Sequence, residues 1–226
     1  MSAAKVYSGL PMDTIGFKPP FVNNRGSNTV YVQEKGQWKG PRVQLYHEGK
    51  GEVPMAPFGV SEQESGKSIS ISINDPDMQA WLRAVDQHVL QAAETNCVKW
   101  FGKSYDRETL EEFYRTLLSP TKEGYDPLLR LKIAEWGKDT DTKIWVKSAD
   151  GAVVAGTLSD LQPRCRVVPI AMFNSVWFVQ NSFGLSFHAM SVLIVSSGEG
   201  GGGGGGTAAG GDFIFMDADA PATMEE

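Results

Sequence analysis

Hydrophobic positions along this chain change period twice, and the changes mark its organisation. Residues 1–28 show no sustained period and are punctuated by Pro11, Pro19, Pro20, Asn23, Asn24 and Gly26. They read as an irregular leader, loosely held on the body of the protein. Short β-prone runs come next, Thr29–Gln33 and Arg42–Tyr46, on either side of the polar Lys35-Gly-Gln-Trp-Lys39-Gly. Ser68–Ile73 alternates strictly, putting Ile69, Ile71 and Ile73 on one face of a half-buried strand.

At Asn74-Asp75-Pro76 the period switches. Asn74 or Asp75 can cap a helix, and proline suits its first turn. Met78, Trp81, Leu82, Val85, Val89 and Ala92 then recur at three-to-four spacing, which predicts a helix near 76–96 with one core-facing stripe. A second helix is predicted near 106–118, ended by Ser119-Pro120. Beyond it the pattern returns to strands: Leu128–Ile133, Lys143–Lys147, Ala152–Thr157 after the Ala149-Asp150-Gly151 turn, then Cys165–Phe173 and Leu185–Val195 joined by Val176–Gly184. Strands, helices, then about five strands predict an α+β fold, mainly β, a barrel or sandwich with a helical insertion over residues 29–197.

The last segment differs in kind. Gly200 to Gly206 is an unbroken glycine run, too costly to order and with nothing to bury, so residues 198–226 are expected to form a flexible, disordered tail. It carries an apolar plug, Asp212-Phe-Ile-Phe-Met-Asp217, that suggests a docking peptide. Charge sharpens the division. The formal net charge is −6, and the tail holds Glu199, Asp212, Asp217, Asp219, Glu225 and Glu226 with no Lys or Arg. The body is therefore neutral overall, with 21 bases against the 21 acids left of 27.

Composition excludes several classes. No stretch approaches the roughly 20 apolar residues of a membrane span, and Met1–Leu10 lacks a basic start and apolar run, so no secretory signal is expected. Only Cys97 and Cys165 occur and there is no Asn-x-Ser/Thr acceptor, which points to an intracellular protein. Gly66-Lys67-Ser68 and Gly102-Lys103-Ser104 are not phosphate loops, because Ser61 and Cys97 stand where the first glycine belongs. There is no nucleophile elbow. His47, His88 and His188 have no cysteine or acid at ligand spacing. No catalytic residue, metal or cofactor is expected, and the chain reads as a non-enzyme.

What the body does supply is aromatic rings beside cations, the pairing that single-stranded nucleic acid requires for its bases and phosphates. Trp38 lies near Lys35, Lys39 and Arg42; Trp100 near Lys99 and Lys103; Trp145 between Lys143 and Lys147. Arg130 and Lys132 are two apart on one predicted strand, hence on one face, and Arg164 and Arg166 share that spacing. Bases would stack on Trp145, Trp100 or Trp38, with Lys99, Lys103, Arg130, Lys132, Lys147, Arg164 and Arg166 on phosphates. Trp177 and Phe178 sit in an apolar run and read as core or half core.

A family resemblance rests on ordered landmarks. From Ile144 the chain reads Ile-Trp-Val-Lys-Ser-Ala-Asp-Gly, then Leu158-Ser-Asp-Leu-Gln-Pro-Arg164-Cys-Arg166-Val-Val-Pro, then Phe178 and Gly184-Leu-Ser-Phe-His-Ala-Met-Ser-Val-Leu-Ile-Val195. Upstream stand Pro54-Met-Ala-Pro-Phe-Gly-Val60 and Gly124-Tyr-Asp-Pro-Leu-Leu-Arg-Leu-Lys-Ile133. Over roughly residues 40–226 this resembles OB-fold single-stranded-DNA-binding proteins of podophage type, and more closely their counterparts in nucleo-cytoplasmic large DNA viruses of algae. His188 and Met190 stand where that pattern has a basic residue, and Phe213 and Phe215 are internal where the phage tails end in an aromatic.

The resemblance implies an OB-like five-stranded barrel and sequence-independent binding of single-stranded DNA in replication, recombination or repair, in the nucleus or a cytoplasmic viral replication site. A flexibly tethered polyanion beside a cationic groove can occupy it, so the tail, with Asp212, Phe213, Phe215, Asp217, Asp219, Glu225 and Glu226, is expected to compete for the DNA groove. The resemblance implies that the tail recruits polymerase and helicase/primase. It allows a homodimer and implies no membrane. A neutral body with a glycine tether equally suits the alternative, a structural or scaffold protein of a large DNA virus particle.

Overall fold

The two longest apolar runs form one antiparallel hairpin, Cys165–Val179 against Ser182–Ser196, turning at Gln180 with φ 50°. The structure, a computed structural model, describes residues 4–23, 26–63, 66–136 and 139–196, with backbone alone at 135–136 and 139–140. In chain order the strands before the helices are β1 (Lys5–Val6), β2 (Ile15–Phe17), β3 (Phe21–Val22), β4 (Asn28–Glu34), β5 (Arg42–Gln44), β6 (Met55–Ala56), β7 (Val60–Gln63) and β8 (Gly66–Ser72). Helices α1 (Pro76–Thr95), α2 (Cys97–Phe101) and α3 (Arg107–Phe113) follow. Then come β9 (Tyr114–Arg115), β10 (Leu118–Ser119), β11 (Leu128–Ile133), β12 (Glu135–Trp136), β13 (Asp139–Thr140), β14 (Lys143–Lys147), β15 (Val153–Ala155), β16 (Cys165–Val179) and β17 (Ser182–Ser196).

The fold is mainly β, as the pattern predicts. Its sheet runs β1-β5-β16-β17-β11-β8-β7, with β4 and β6 also on β16, and β9 and β14 also on β17. The described strands do not close into a five-stranded OB barrel. The path ends on two different edge strands, and β17 takes β9, β11 and β14 in parallel while pairing antiparallel with β16. Three register shifts along the hairpin, at Arg166/Val167, Ile170/Ala171 and Phe173/Ser175, explain how one pair serves so many partners. Each bulge bends and twists the ladder, so the early part of β16 meets β5 and β6 and the later part meets β4.

The inner face packs Val30, Val32, Val43, Ile69, Ile71, Leu129, Leu131, Phe173 and Phe187 into one core with Met78, Leu82, Val85 and Val89 of α1. Asp75 caps α1, accepting from the Asp77 amide at 2.9 Å and the Tyr7 hydroxyl at 2.6 Å. No helix among the described residues is long and apolar enough to cross a membrane.

Two further expectations are corrected. The N-terminal residues are not loosely held: β1 pairs with β5, β2 and β3 pair with β4, and Tyr7, Leu10 and Ile15 are buried. The prolines break periodicity, yet they leave extended segments that a sheet edge accepts. The second helix stops at Phe113, short of 118. Tyr114 turns extended to pair with Phe183, and its hydroxyl reaches Asp86 at 2.8 Å. Those tertiary bonds outweigh one more helical turn. The tail beyond Ser196, with the residues expected to dock partners, lies outside the described residues.

Candidate nucleic-acid interface

Alternation on β4 sends Val30 and Val32 into the core and Tyr31 outward. Tyr31 lies opposite Ser175 on β16, and Thr29 opposite Trp177. Opposed residues share a face, so Tyr31 and Trp177 both stand on the outer side of the sheet. Phe21, carried beside Thr29 by β3, stacks on Tyr31 with ring centroids 5.0 Å apart and planes 20° from parallel. The pair is open to solvent, Phe21 at 39% and Tyr31 at 44% exposure. Large aromatic rings stacked on each other in water, and not in the core, form a surface that another flat ring can extend.

Two open depressions adjoin there. One, of about 440 Å³, runs from Phe21 and Tyr31 past Asn174 to Lys132 and Trp177. The other, of about 220 Å³, is lined by Lys18, Tyr31, Trp38, Lys39, Met172 and Asn174 among others. Tyr31 and Asn174 belong to both, so the two make one groove. Its described lining contains three lysines and no acid.

Local structure sets each wall. Trp38 rides a turn closed by the Gln37 amide on the Glu34 carbonyl at 2.8 Å, with Gly36 at φ 79°. Gly40 then lets the chain dive against β16: a Cβ there would sit 2.0 Å from the Phe173 carbonyl oxygen. Trp38 itself is 82% exposed, with the Lys18 ammonium 3.7 Å from its ring centroid. At the far end the Trp177 indole lies across Gly184, where a Cβ would come within 2.8 Å of the ring. Glycine opposite an aromatic on a sheet gives the ring a place to lie flat.

A row of outward positions crosses the sheet beside the groove: Arg42, Met172, His188 and Lys132 on β5, β16, β17 and β11. Three inter-strand steps separate Arg42 from Lys132, roughly 14 Å between backbones. Burial pushes the pKa of His188 down, and the Lys132 charge pushes it further, so both disfavour the imidazolium.

The residues expected from sequence are distributed unevenly. Trp38 and Lys132 line the groove. Arg130 shares the outer face with Lys132, donating to Ser68 Oγ at 3.0 Å and Gln63 Oε1 at 2.8 Å. Trp100 is no platform: at 2% exposure it packs edge-on against Phe17 and Phe178 in the core, leaving exposed Lys99 and Lys103 without an open indole beside them. Lys103 sits instead 4.8 Å over Tyr105. Trp145 is half-buried opposite Leu193, with Lys147 opposite Val153, outside the groove lining. Arg164 precedes β16 with φ 66°, so the alternation that would align it with Arg166 does not apply. Arg166 is engaged by Glu52 at 2.9 Å and the Val53 carbonyl at 2.8 Å.

Lys18, Phe21, Tyr31 and Trp177 escaped the sequence reading. Tyr31 was detectable, since Val30 and Val32 bracket it in a β-prone run. Lys18 and Phe21 carry no local signal; strand pairing alone brings them there.

Two of the buried carboxylates, Asp86 and Asp75, belong to the scaffold. Asp86 accepts from Tyr114 and from the Leu117 amide at 3.1 Å, and desolvation outweighs both bonds, raising its pKa to about 6. Asp75 holds Tyr7 and the start of α1. Burial also raises the Cys165 thiol to about 11, so it stays protonated at neutral pH. Among the described residues no three His, Cys, Asp or Glu side chains cluster as a metal site would require.

Residues 59–198 match the model of a family of unknown function, DUF5871. The chain belongs to DUF5871. The DUF5871 match takes in Lys132, Asn174 and Trp177, while Lys18, Phe21, Tyr31 and Trp38 precede it. No curated protein matches this chain. Among solved structures, the single-stranded DNA-binding protein from bacteriophage Enc34 superposes with a TM-score of 0.40 at 9% identity, over 83% of this chain and 90% of that one.

Proposed function

We propose that the groove binds single-stranded DNA without sequence preference, as a binding protein and not an enzyme. The observation that carries this reading is the solvent-open Phe21–Tyr31 stack, continuous with Trp38 and flanked by Lys18, Lys39 and Lys132 with no acid in the described lining. Every base has a π-face, so stacking tolerates any sequence, and the lysines take the phosphates. A duplex hides those faces within its own stack, so single strands are preferred. Recruitment of replication proteins by the acidic tail, inside the cell, extends the proposal; its support is the tail's charge and its Phe213 and Phe215.

The test is anisotropy of labelled oligo-dT, the matching RNA and a matched duplex against wild type, Tyr31→Ala and Lys132→Ala. Tyr31→Ala should weaken oligo-dT by about 1–3 kcal/mol, roughly 5- to 150-fold. Lys132→Ala should flatten the salt dependence by about 0.7 in log–log slope. Equal affinity for duplex and single strand, or indifference to Tyr31, would reject the groove. Tighter binding of RNA would reassign the strand it serves.

A further inference from the structure

Trp38 is the most exposed ring in the groove, yet one face of it is already occupied. The Lys18 ammonium stands 3.7 Å from the ring centroid. A base cannot stack on that face while the lysine is there. Resting on the reading of the groove as a single-strand site, we propose that Lys18 caps Trp38 in the free protein and that a nucleotide uncaps it. The base takes the indole face, and the released ammonium takes that nucleotide's phosphate.

The exchange needs side-chain motion only. The Lys18 amide donates to the Tyr31 carbonyl at 2.9 Å, and Pro19 and Pro20 come directly after it. A residue before proline is restricted to extended conformations, so the backbone that carries Lys18 is held while its four-carbon stem swings. The same short segment delivers Phe21 to Tyr31. One stiff stretch thus presents an open platform at one end and a capped one at the other. Magnitudes favour the swap, because a base–aromatic stack is worth more than a cation–π contact at an exposed ring.

Lys18 thereby becomes a specificity residue. A ligand offering a base together with a phosphate replaces both contacts that Lys18 gives up. A polyanion without bases offers only the phosphate, and the lysine must leave the ring uncovered to reach it. The device selects nucleotides over bare polyanions.

Lys18→Gln removes the cation and keeps a polar side chain. Its affinity should be compared with wild type across a salt series on oligo-dT and on an abasic strand of equal length, with Tyr31→Ala as the reference. On oligo-dT the variant should lose about 0.7 from the salt slope. At high salt, where the phosphate contact is screened, it should cross wild type and bind roughly two- to fivefold more tightly, because nothing competes for Trp38. On the abasic strand the slope should be unchanged. An ordinary phosphate lysine would lower the slope equally on both strands and never cross, and that result overturns the cap. If wild type ignores oligo-dT, or Tyr31→Ala binds as well as wild type, the groove reading fails and the cap with it. If Tyr31 matters and the curves do not cross, only the cap fails.

Discussion

Asp86 offers a direct test of how α1 is held to the strands beyond it. The carboxylate is 4% exposed and accepts from the Tyr114 hydroxyl at 2.8 Å and the Leu117 amide at 3.1 Å. Burial raises its pKa from 3.8 to about 6 in spite of both bonds. The folded state thus holds the proton more tightly than the unfolded chain. Stability from this group is fully present below pH 3.8, falls as pH rises towards about 6, and is level beyond. About two units at 1.36 kcal/mol each make the ionised form cost roughly 3 kcal/mol relative to the protonated one. Asp86→Asn cannot ionise, and one amide oxygen can accept from both Tyr114 and Leu117.

The assay is urea unfolding of wild type and variant at a series of pH values, followed by tryptophan fluorescence. Subtracting the two curves cancels every other titration and any constant effect of the amide. The difference should change by roughly 3 kcal/mol between acid and neutral pH, in favour of the variant on the alkaline side. Tyr114→Phe removes a bond that lowers this pKa, so its own transition should move upward in pH. A flat difference curve would show that Asp86 is not desolvated as described.

Two more outcomes are expected of the groove and its surroundings. Gly40→Ala puts a methyl where only 2.0 Å separates it from the Phe173 carbonyl oxygen, and backbone cannot swing aside. Urea unfolding should show a loss of about 1–3 kcal/mol, and oligo-dT affinity should fall as the Trp38 turn shifts. Arg166→Ala breaks a partly exposed ion pair with Glu52 and the hydrogen bond to the Val53 carbonyl, so it should cost about 1–2 kcal/mol. It should leave single-strand affinity unchanged in the same anisotropy assay, whereas a loss matching Lys132→Ala would restore Arg166 to the interface.

Much of the fold was legible because it depends on local periodicity. The alternation of Ile69, Ile71 and Ile73, the Asp75 cap with Pro76, and the Leu128–Ile133 and Lys143–Lys147 strands all appear where the pattern puts them. Period two and period three-to-four are properties of neighbours on one element, and a sequence displays them directly. Which elements pair is another matter. The barrel expectation failed because bulges, invisible in an apolar run, let β16 and β17 collect partners from the whole chain.

The candidate site divides along the same line. That Trp38 and Lys132 are an aromatic and a cation, and that the excess acid is confined to the tail, was determined by sequence alone. Whether a tryptophan faces water or core was not. Trp100 and Trp38 both stand beside lysines, yet helix packing buries one and a turn exposes the other. Lys18, Phe21, Tyr31, Lys132 and Trp177 become neighbours only because β3 pairs with β4, β4 with β16, β16 with β17 and β17 with β11. Each ladder is chosen by long-range burial of the opposite face, and the groove is assembled on the side that burial leaves over.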